Sequence, residues 1–151
     1  MIVKELLKIK FSAKRRYAIF IFIAALVVLG YTIFDVMAHT NDQGMEVFNW
    51  IIIGVSSLLA LFGLYIAIGA SLDIKMLKSD KLPVINAQFI KFSKRGFSTK
   101  DRNEVVYTGQ VFLDLEDNSE KLLIVSNVEL NKKYRIMYGR HTNIGVIIQR
   151  N

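Results

Sequence analysis

Two long apolar runs dominate the N-terminal half of the chain, at residues 17–34 and 47–70. Neither run contains Lys, Arg, Asp or Glu, and each has about the ~20 residues that a helix needs to cross the hydrocarbon layer of a bilayer. Because unpaired backbone groups are costly in lipid, each run is predicted to be a continuous α-helix, which the absence of proline permits. The pattern predicts a hairpin of two transmembrane helices.

After residue 82 the apolar positions alternate with period two, which is typical of half-buried β-strands. Turn-forming residues separate five such segments. The predicted strands are residues 84–92, 105–115, 121–126, 133–138 and 144–149. A flat sheet of this size would leave a large apolar face uncovered, so we expect a small all-β domain closed into a five-stranded OB or SH3-like barrel.

These patterns divide the chain into four predicted parts. A basic N-terminal segment precedes the membrane hairpin, a juxtamembrane connector and the barrel domain, at residues 1–16, 17–70, 71–81 and 82–151. The connector is predicted to be helical and to end near Pro83, because the residue before a proline is disfavoured in a helix. For the basic segment two interpretations stay open: an amphipathic helix on the inner leaflet, or an extension of the first transmembrane helix.

The distribution of charge predicts the orientation. Residues 1–16 carry six basic side chains and one acidic one, whereas residues 35–46 carry three acidic side chains and no basic one. Basic residues close to a span are retained in the cytoplasm, which places the N-terminus and the C-terminal domain inside and the loop outside. A cleaved secretory signal is disfavoured because the first apolar run exceeds the ~7–15 residues of a signal peptide.

The residue inventory argues against catalysis. The 151 residues include no cysteine, which excludes disulfides, thiolate nucleophiles and cysteine-based metal sites. His39 and His141 fall in separate predicted compartments and do not share a site. Four acidic residues lie close together but lack the spacing of a calcium loop, so we interpret them as a solvated hairpin turn; they are Asp114, Glu116, Asp117 and Glu120. We predict no enzymatic activity, no cofactor and no metal.

Small residues at four-residue spacing predict helix packing in the second apolar run. Such residues allow two helix backbones to approach closely. The positions are Ser56, Ala60, Gly63, Ala67 and Ser71. The first span of the same chain is the expected partner, and a homo-oligomer or another membrane protein is the alternative.

A basic and aromatic stretch follows the first predicted strand and is the main candidate binding surface. Its residues are Lys91, Phe92, Lys94, Arg95, Phe97, Lys100 and Arg102. They suit anionic lipid headgroups, a nucleotide phosphate or an acidic partner. Nucleic acid is disfavoured because the domain is tethered beside the inner leaflet. The alternative is a solvated hairpin tip whose phenylalanines cover the end of the barrel.

The last strands carry a family resemblance. The stretches PVINAQFIKF and ELNKKYRIMYGRHTNIGVIIQ, with a hydrophobic strand that ends in Tyr138 between two polar turns, resemble the small β-barrels of NfeD-like membrane-anchored bacterial proteins. The resemblance covers about the final 70 residues, and the two-helix hairpin before the barrel departs from the common NfeD layout. It implies a membrane scaffold or partner-binding role with no catalytic residues. The overall order is also similar to two-span β-barrel effectors of bacterial antiphage systems.

We therefore predict a non-enzymatic interaction or regulatory protein of the bacterial inner membrane. Its cytoplasmic domain is expected to bind a protein partner or anionic lipid, through a sheet edge or the basic stretch. One alternative is a membrane effector gated by a cyclic nucleotide, which would need a polar pocket in the barrel. Another is a toxin-immunity protein that contacts its partner through residues 39–46 or the spans.

Overall fold

A computed structural model describes residues 2–38, 43–93 and 109–150. Two long helices come first, α1 (Ile2–Ala38) and α2 (Gln43–Lys78). Both are long and apolar enough to cross a membrane, which confirms the two predicted apolar helices. Each continues beyond its apolar run, α1 toward the N-terminus and α2 through the predicted connector. The basic N-terminal residues therefore belong to α1 rather than to a separate helix.

Five strands follow in one antiparallel sheet: β1 (Val84–Phe92), β2 (Gln110–Asp114), β3 (Glu120–Leu123), β4 (Lys133–Tyr138) and β5 (Gly145–Arg150). Their order across the sheet is β3-β2-β1-β4-β5. The bounds of β1 and β4 are the predicted ones, while β3 and β5 differ by one to three residues at their ends. The first part of the second predicted strand, residues 105–108, lies outside the described residues.

The predicted closed barrel is not confirmed, because the sheet is open. Within the described residues, its two edge strands approach each other only through an isolated bridge between Ile124, just after β3, and Ile144, just before β5. The argument for closure assumed that no other element covers the sheet. In the structure, residues from both helices cover the second face of the β4–β5 hairpin, so closure is not needed for burial.

The chain divides into two compact units, Met1–Phe11 with Leu72–Asn151, and Ser12–Ser71. We call the first the sheet unit and the second the helix-pair unit. The sheet unit has a core on one face of the sheet, built from alternate positions of the strands as the period-two pattern requires. Its members are Ile85, Ala87, Phe89, Phe112, Leu123, Val125, Tyr134 and Ile136.

A second apolar cluster lies on the other face of the β4–β5 hairpin. Leu7 and Phe11 of α1 are fully buried there, together with Leu77, Leu82 and Ile144. Met137 and Val146 supply the strand side of this contact. The first turns of α1 and the last turns of α2 are therefore structural parts of the sheet unit. The sequence did not predict that contact.

Asparagine occupies most of the turns that need a left-handed backbone. Among the described residues outside glycine, positive φ angles occur at Asp80, Asn118, Asn127, Asn131 and Asn143. Asparagine tolerates this region better than other residues with a Cβ atom, because its short amide bonds locally to the backbone. Asn118 lies in the β2–β3 turn, and Asn131 and Asn143 each lie two residues before the strand that follows, β4 and β5 respectively.

In the helix-pair unit, α1 buries small residues at seven-residue intervals, Ala18, Ala25 and Thr32. A repeat of seven is the period of closely packed helix pairs. The Thr32 hydroxyl is buried and donates to the carbonyl of Val28 at 2.9 Å, so it adds no unpaired polar group. About one turn further along α1, the Asn49 amide donates to an Asp35 carboxylate oxygen at 3.4 Å.

Candidate functional site

The predicted basic stretch is only partly described. Lys91 and Phe92 end β1, while Lys94, Arg95, Phe97, Lys100 and Arg102 lie outside the described residues. The Lys91 ammonium lies 3.3 Å from a Glu120 carboxylate oxygen. The Phe92 ring packs edge-on against Phe89, with ring centroids 4.8 Å apart. Both described members are thus already engaged with the sheet.

The predicted helix-packing residues differ in their environment. Ser56, Ala60 and Gly63 are buried, Ala67 is half-buried and Ser71 is exposed. A Cβ atom on Gly63 would lie 3.0 Å from the Ala18 carbonyl oxygen and from the Phe22 amide nitrogen. The backbones of the two helices therefore approach closely at this glycine. The Ser71 hydroxyl instead donates to the Ala67 carbonyl at 2.8 Å.

A groove of about 410 Å³ runs along β5, and we call it the β5 groove. The whole of β5 lines it, with two α1 side chains and two residues that follow β3. The lining residues are Leu6, Lys10, Ser126, Asn127 and Gly145 to Arg150. All of them belong to the sheet unit. Sequence analysis did not predict this site, because its residues come from three separate stretches.

Backbone pairing explains where the β5 groove begins. The Gly145 amide donates to the Ile124 carbonyl at 3.0 Å, and the Ile124 amide donates to the Asn143 carbonyl at 2.7 Å. A side chain then holds the next residue, because both the amide and the carbonyl of Val125 bond Gln110 at 2.9 Å. At Asn127 the backbone turns with φ of 61°. The groove lies beyond Gly145, between β5 and this turn.

The groove is basic. Its lining includes Lys10 and Arg150 and no acidic residue. The Lys10 ammonium donates to the Ser126 hydroxyl at 3.2 Å, and the Arg150 guanidinium donates to the Asn127 carbonyl at 3.3 Å. Both cations therefore bond neutral acceptors. A hydrogen bond from a charged donor is stronger when the acceptor is a carboxylate, so the groove favours an anionic group over these internal acceptors.

An irregularity in β5 exposes an apolar side chain to the groove. The register of β4 and β5 shifts between Arg135, paired with Gln149, and Ile136, paired with Ile147. Ile148 is the additional residue and is 40% exposed. Bulges of this kind are common beside functional sites, where they redirect a side chain. The β5 groove thus combines an exposed isoleucine with two cations.

A buried carboxylate holds the β4–β5 turn against α2. Asp73 is fully buried, and its oxygens accept bonds from the Thr142 amide at 2.8 Å, the Thr142 hydroxyl at 2.7 Å and the His141 amide at 3.2 Å. A Cβ atom on Gly139 would overlap a buried Asp73 oxygen, so this position favours glycine. Asp73 lies three residues after the buried Ala70 and four before the buried Leu77, and an acid at this helical spacing was the available signal.

A second cavity, of about 270 Å³, lies between the start of α1 and the end of α2. Its lining has three lysines, Lys4, Lys8 and Lys78, but also Glu5 and Asp80. Lys4 forms an ion pair with Asp80. The mixture of charges gives this cavity no clear preference for an anion or a cation.

The four acidic residues of the β2–β3 hairpin bond neighbouring groups of the hairpin or of β1. The buried carboxylate of Asp114 bonds the Lys121 ammonium and the Glu116 amide. The bond to Asp114 raises the pKa of Lys121 above its usual range. Asp117 accepts bonds from the hydroxyl and the amide of Ser119, which lower the pKa of Asp117. Within the described residues, no group of three His, Asp or Glu side chains is arranged to hold a metal ion.

No protein-family model, curated protein or solved structure matches the chain. The resemblance to NfeD-like proteins therefore stays a prediction. What the described residues offer chemically is a basic and apolar groove beside a strand edge, which is suited to binding.

Proposed function

We propose that this protein is a non-enzymatic interaction module of the bacterial inner membrane, whose cytoplasmic sheet unit binds a protein partner. The observation that supports it best is the β5 groove. An exposed strand edge offers backbone donors and acceptors that another chain can pair with. The exposed Ile148 and the cations Lys10 and Arg150 supply apolar and charged contacts beside that edge.

The proposed orientation rests on the distribution of charge. The basic residues that precede the first apolar run and the acidic loop between the helices favour a cytoplasmic N-terminus and sheet unit. Because the chain has no cysteine, single cysteines report topology cleanly. Ser119→Cys is expected to resist an impermeant thiol reagent in intact cells, whereas Thr40→Cys is expected to react. The reverse labelling pattern would overturn the orientation.

We also propose that the open sheet is related to small OB or SH3-like barrels. The support is the isolated bridge at Ile124 and Ile144, which brings the two edges together at one point. On this proposal the β5 groove is the opening where such a barrel is incomplete. A surface of this kind suits insertion of a foreign chain better than a fully paired barrel wall.

Photocrosslinking in native membranes tests the proposed function. A photoreactive phenylalanine analogue replaces Ile148 in the β5 groove or, as a matched control, Leu122 on the opposite edge strand. The two positions are equally exposed, at 40% and 42%. We expect a discrete protein adduct from position 148 and not from position 122. Adducts with lipid alone at both positions would favour the bilayer as the binding partner and overturn the proposal.

A further inference from the structure

We propose that the β5 groove binds an extended acidic segment of the partner protein, which adds to β5 as a sixth strand and places carboxylates on Lys10 and Arg150. This inference rests on the proposed function and names the chemistry of the partner. Three observations support it: backbone pairing at the start of the groove, the charge of the groove, and the contrast with the other sheet edge.

The pairing at Ile124 shows that this side of β5 accepts a neighbouring chain. Two backbone hydrogen bonds join the Ile124 segment to residues 143 and 145. The chain then leaves the edge at Asn127, and β5 continues for five residues past Gly145. Within the part of the chain that the structure describes, no strand pairs with that side of Val146 to Arg150. A partner strand of roughly five residues, about 17 Å long, would extend along β5 the backbone pairing that the Ile124 bridge starts.

The charge of the groove selects an acidic occupant. Lys10 and Arg150 form no ion pair with another described residue. Each donates instead to a neutral oxygen of the Ser126–Asn127 turn. Glu129 is close enough to Arg150 to interact electrostatically, but it is already paired with Lys132. Leu6 and Ile148 line the same groove, so the occupant would place carboxylates beside Lys10 and Arg150 and apolar side chains beside Leu6 and Ile148.

The opposite edge of the sheet offers a contrast. Strand β3 has four residues, and its Lys121 is held by two acids, Asp114 and Asp117. Glu120 is paired with Lys91. Short edges carrying charged residues are typical of strands that resist further pairing. The longer β5, with its cations bonded to neutral groups, is therefore the edge suited to a partner.

Selection from a peptide library tests the inference. Random eight-residue peptides are displayed on phage and selected on the full-length protein in nanodiscs of phosphatidylcholine, a zwitterionic lipid. We expect enrichment of sequences that combine Asp or Glu with Val, Ile or aromatic residues. Failure to enrich any peptide, or enrichment without acidic residues, would overturn the inference.

Variants then locate the bound peptide. Lys10→Ala and Arg150→Ala are each expected to weaken the affinity of the best peptide about 3- to 10-fold, since each removes a partly exposed charged contact. Lys81→Ala, which removes an exposed lysine outside the groove, is expected to change it less than about 2-fold. Equal effects of all three would indicate nonspecific attraction to positive charge and contradict a groove site. Unchanged melting temperatures check that the variants fold.

Backbone methylation of the peptide tests strand addition itself. In an added strand, alternate amides pair with β5 and the others do not. Methylating one alternate set is expected to weaken binding about 10-fold or more, while the other set leaves it nearly unchanged. Equal effects of the two sets would exclude strand addition. If crosslinking from position 148 still captures a protein that has no acidic segment, the proposed function stands and this inference falls. If neither experiment gives a partner, both fall.

Discussion

Helix α1 buries residues of very different size in its N-terminal turns, which belong to the sheet unit, and in its apolar run, which belongs to the helix-pair unit. Near the N-terminus the buried side chains are large, Leu7 and Phe11. Within the apolar run they are small, Ala18, Ala25 and Thr32. The helix is the same, and Phe11 continues the seven-residue spacing of the three small residues. What differs is the solvent in which each part is proposed to lie.

In water, burying a large apolar side chain stabilises a protein by ~1.5–3 kcal/mol, because apolar surface is removed from solvent. In a bilayer this driving force between helices is lost, since lipid tails are as apolar as leucine. Close backbone approach, which needs small residues, then becomes the main source of packing energy. Helix α2 has the same division, with Leu77 buried in the sheet unit and Gly63 against α1.

The largest expected effect comes from removing a large buried residue. Phe11→Ala is expected to destabilise the sheet unit by about 3–5 kcal/mol, because it deletes a fully buried ring and leaves a cavity. Hydrogen exchange of the β4 and β5 amides in nanodiscs measures this loss. Phe20→Ala is the matched control on the same helix, since Phe20 is 71% exposed, and should leave this exchange nearly unchanged. If Phe20→Ala accelerated the exchange of these amides as much as Phe11→Ala, the contrast between the two parts of α1 would be wrong.

Removing the buried carboxylate should have the next largest effect. Asp73→Ala is expected to cost about 1.5–3 kcal/mol, since the amides of His141 and Thr142 lose a charged acceptor. Hydrogen exchange of the amides in the β4–β5 turn measures this loss of stability. Asp80→Asn removes an exposed acid just beyond α2 and its surface ion pair with Lys4, worth about 1 kcal/mol or less, and keeps a residue that tolerates the positive φ of this position. A larger loss for Asp80→Asn would contradict the role given to Asp73.

Adding a methyl group should distinguish two glycines of α2. Gly63→Ala places a Cβ atom 3.0 Å from backbone atoms of α1 and is expected to cost about 1–3 kcal/mol through overpacking. At Gly54 nothing lies within 4 Å of the added atom, so Gly54→Ala should be neutral or slightly stabilising. Electron spin resonance distances between spin labels on the two helices, in nanodiscs, measure the separation. If the distance between the labels increased for Gly54→Ala and not for Gly63→Ala, the close approach of the two helices at Gly63 would be refuted.

The smallest expected effect concerns acid. The hydrogen bond from Lys132 lowers the pKa of the Glu129 carboxyl below its ordinary value of 4.5. A lowered folded-state pKa stabilises the protein above the unfolded pKa, and this contribution is lost as pH falls through the folded value. The melting temperature should therefore fall below about pH 4.5, and Glu129→Gln should reduce the slope. An unchanged slope would show that the Lys132 pair contributes nothing to the acid response.

The elements were largely predictable because their signals are local. Apolar runs without charge define the helices, and the alternation around β1 and β4 gives their bounds correctly. The closed barrel is not confirmed, and the argument for closure ignored that Leu7, Phe11 and Leu77 cover one face of the β4–β5 hairpin. Nothing in the short-range pattern of α1 shows that its first turns pack against strands more than 120 residues later in the chain.

The candidate site was less predictable than the fold. The basic and aromatic residues at the end of β1 and after it were predicted as the binding surface because they are close together in sequence. The β5 groove instead joins Lys10, Ser126 and Arg150, which come together only in the folded sheet unit. The sequence shows Asp73 as an acid among apolar neighbours. Its role as an acceptor depends on the β4–β5 turn, which packs against Asp73 at Gly139, and no local pattern predicts that contact.

One asparagine at positive φ has a consequence for the binding proposed at β5. Asn143 lies in the turn that joins β4 to β5, so the alignment of this hairpin is determined within a few residues of both strands. A strand whose register depends on its own turns has little freedom to slide when another chain pulls on its outer side. Strand β5 is therefore equipped to act as a fixed template, against which an incoming segment must adjust its own position.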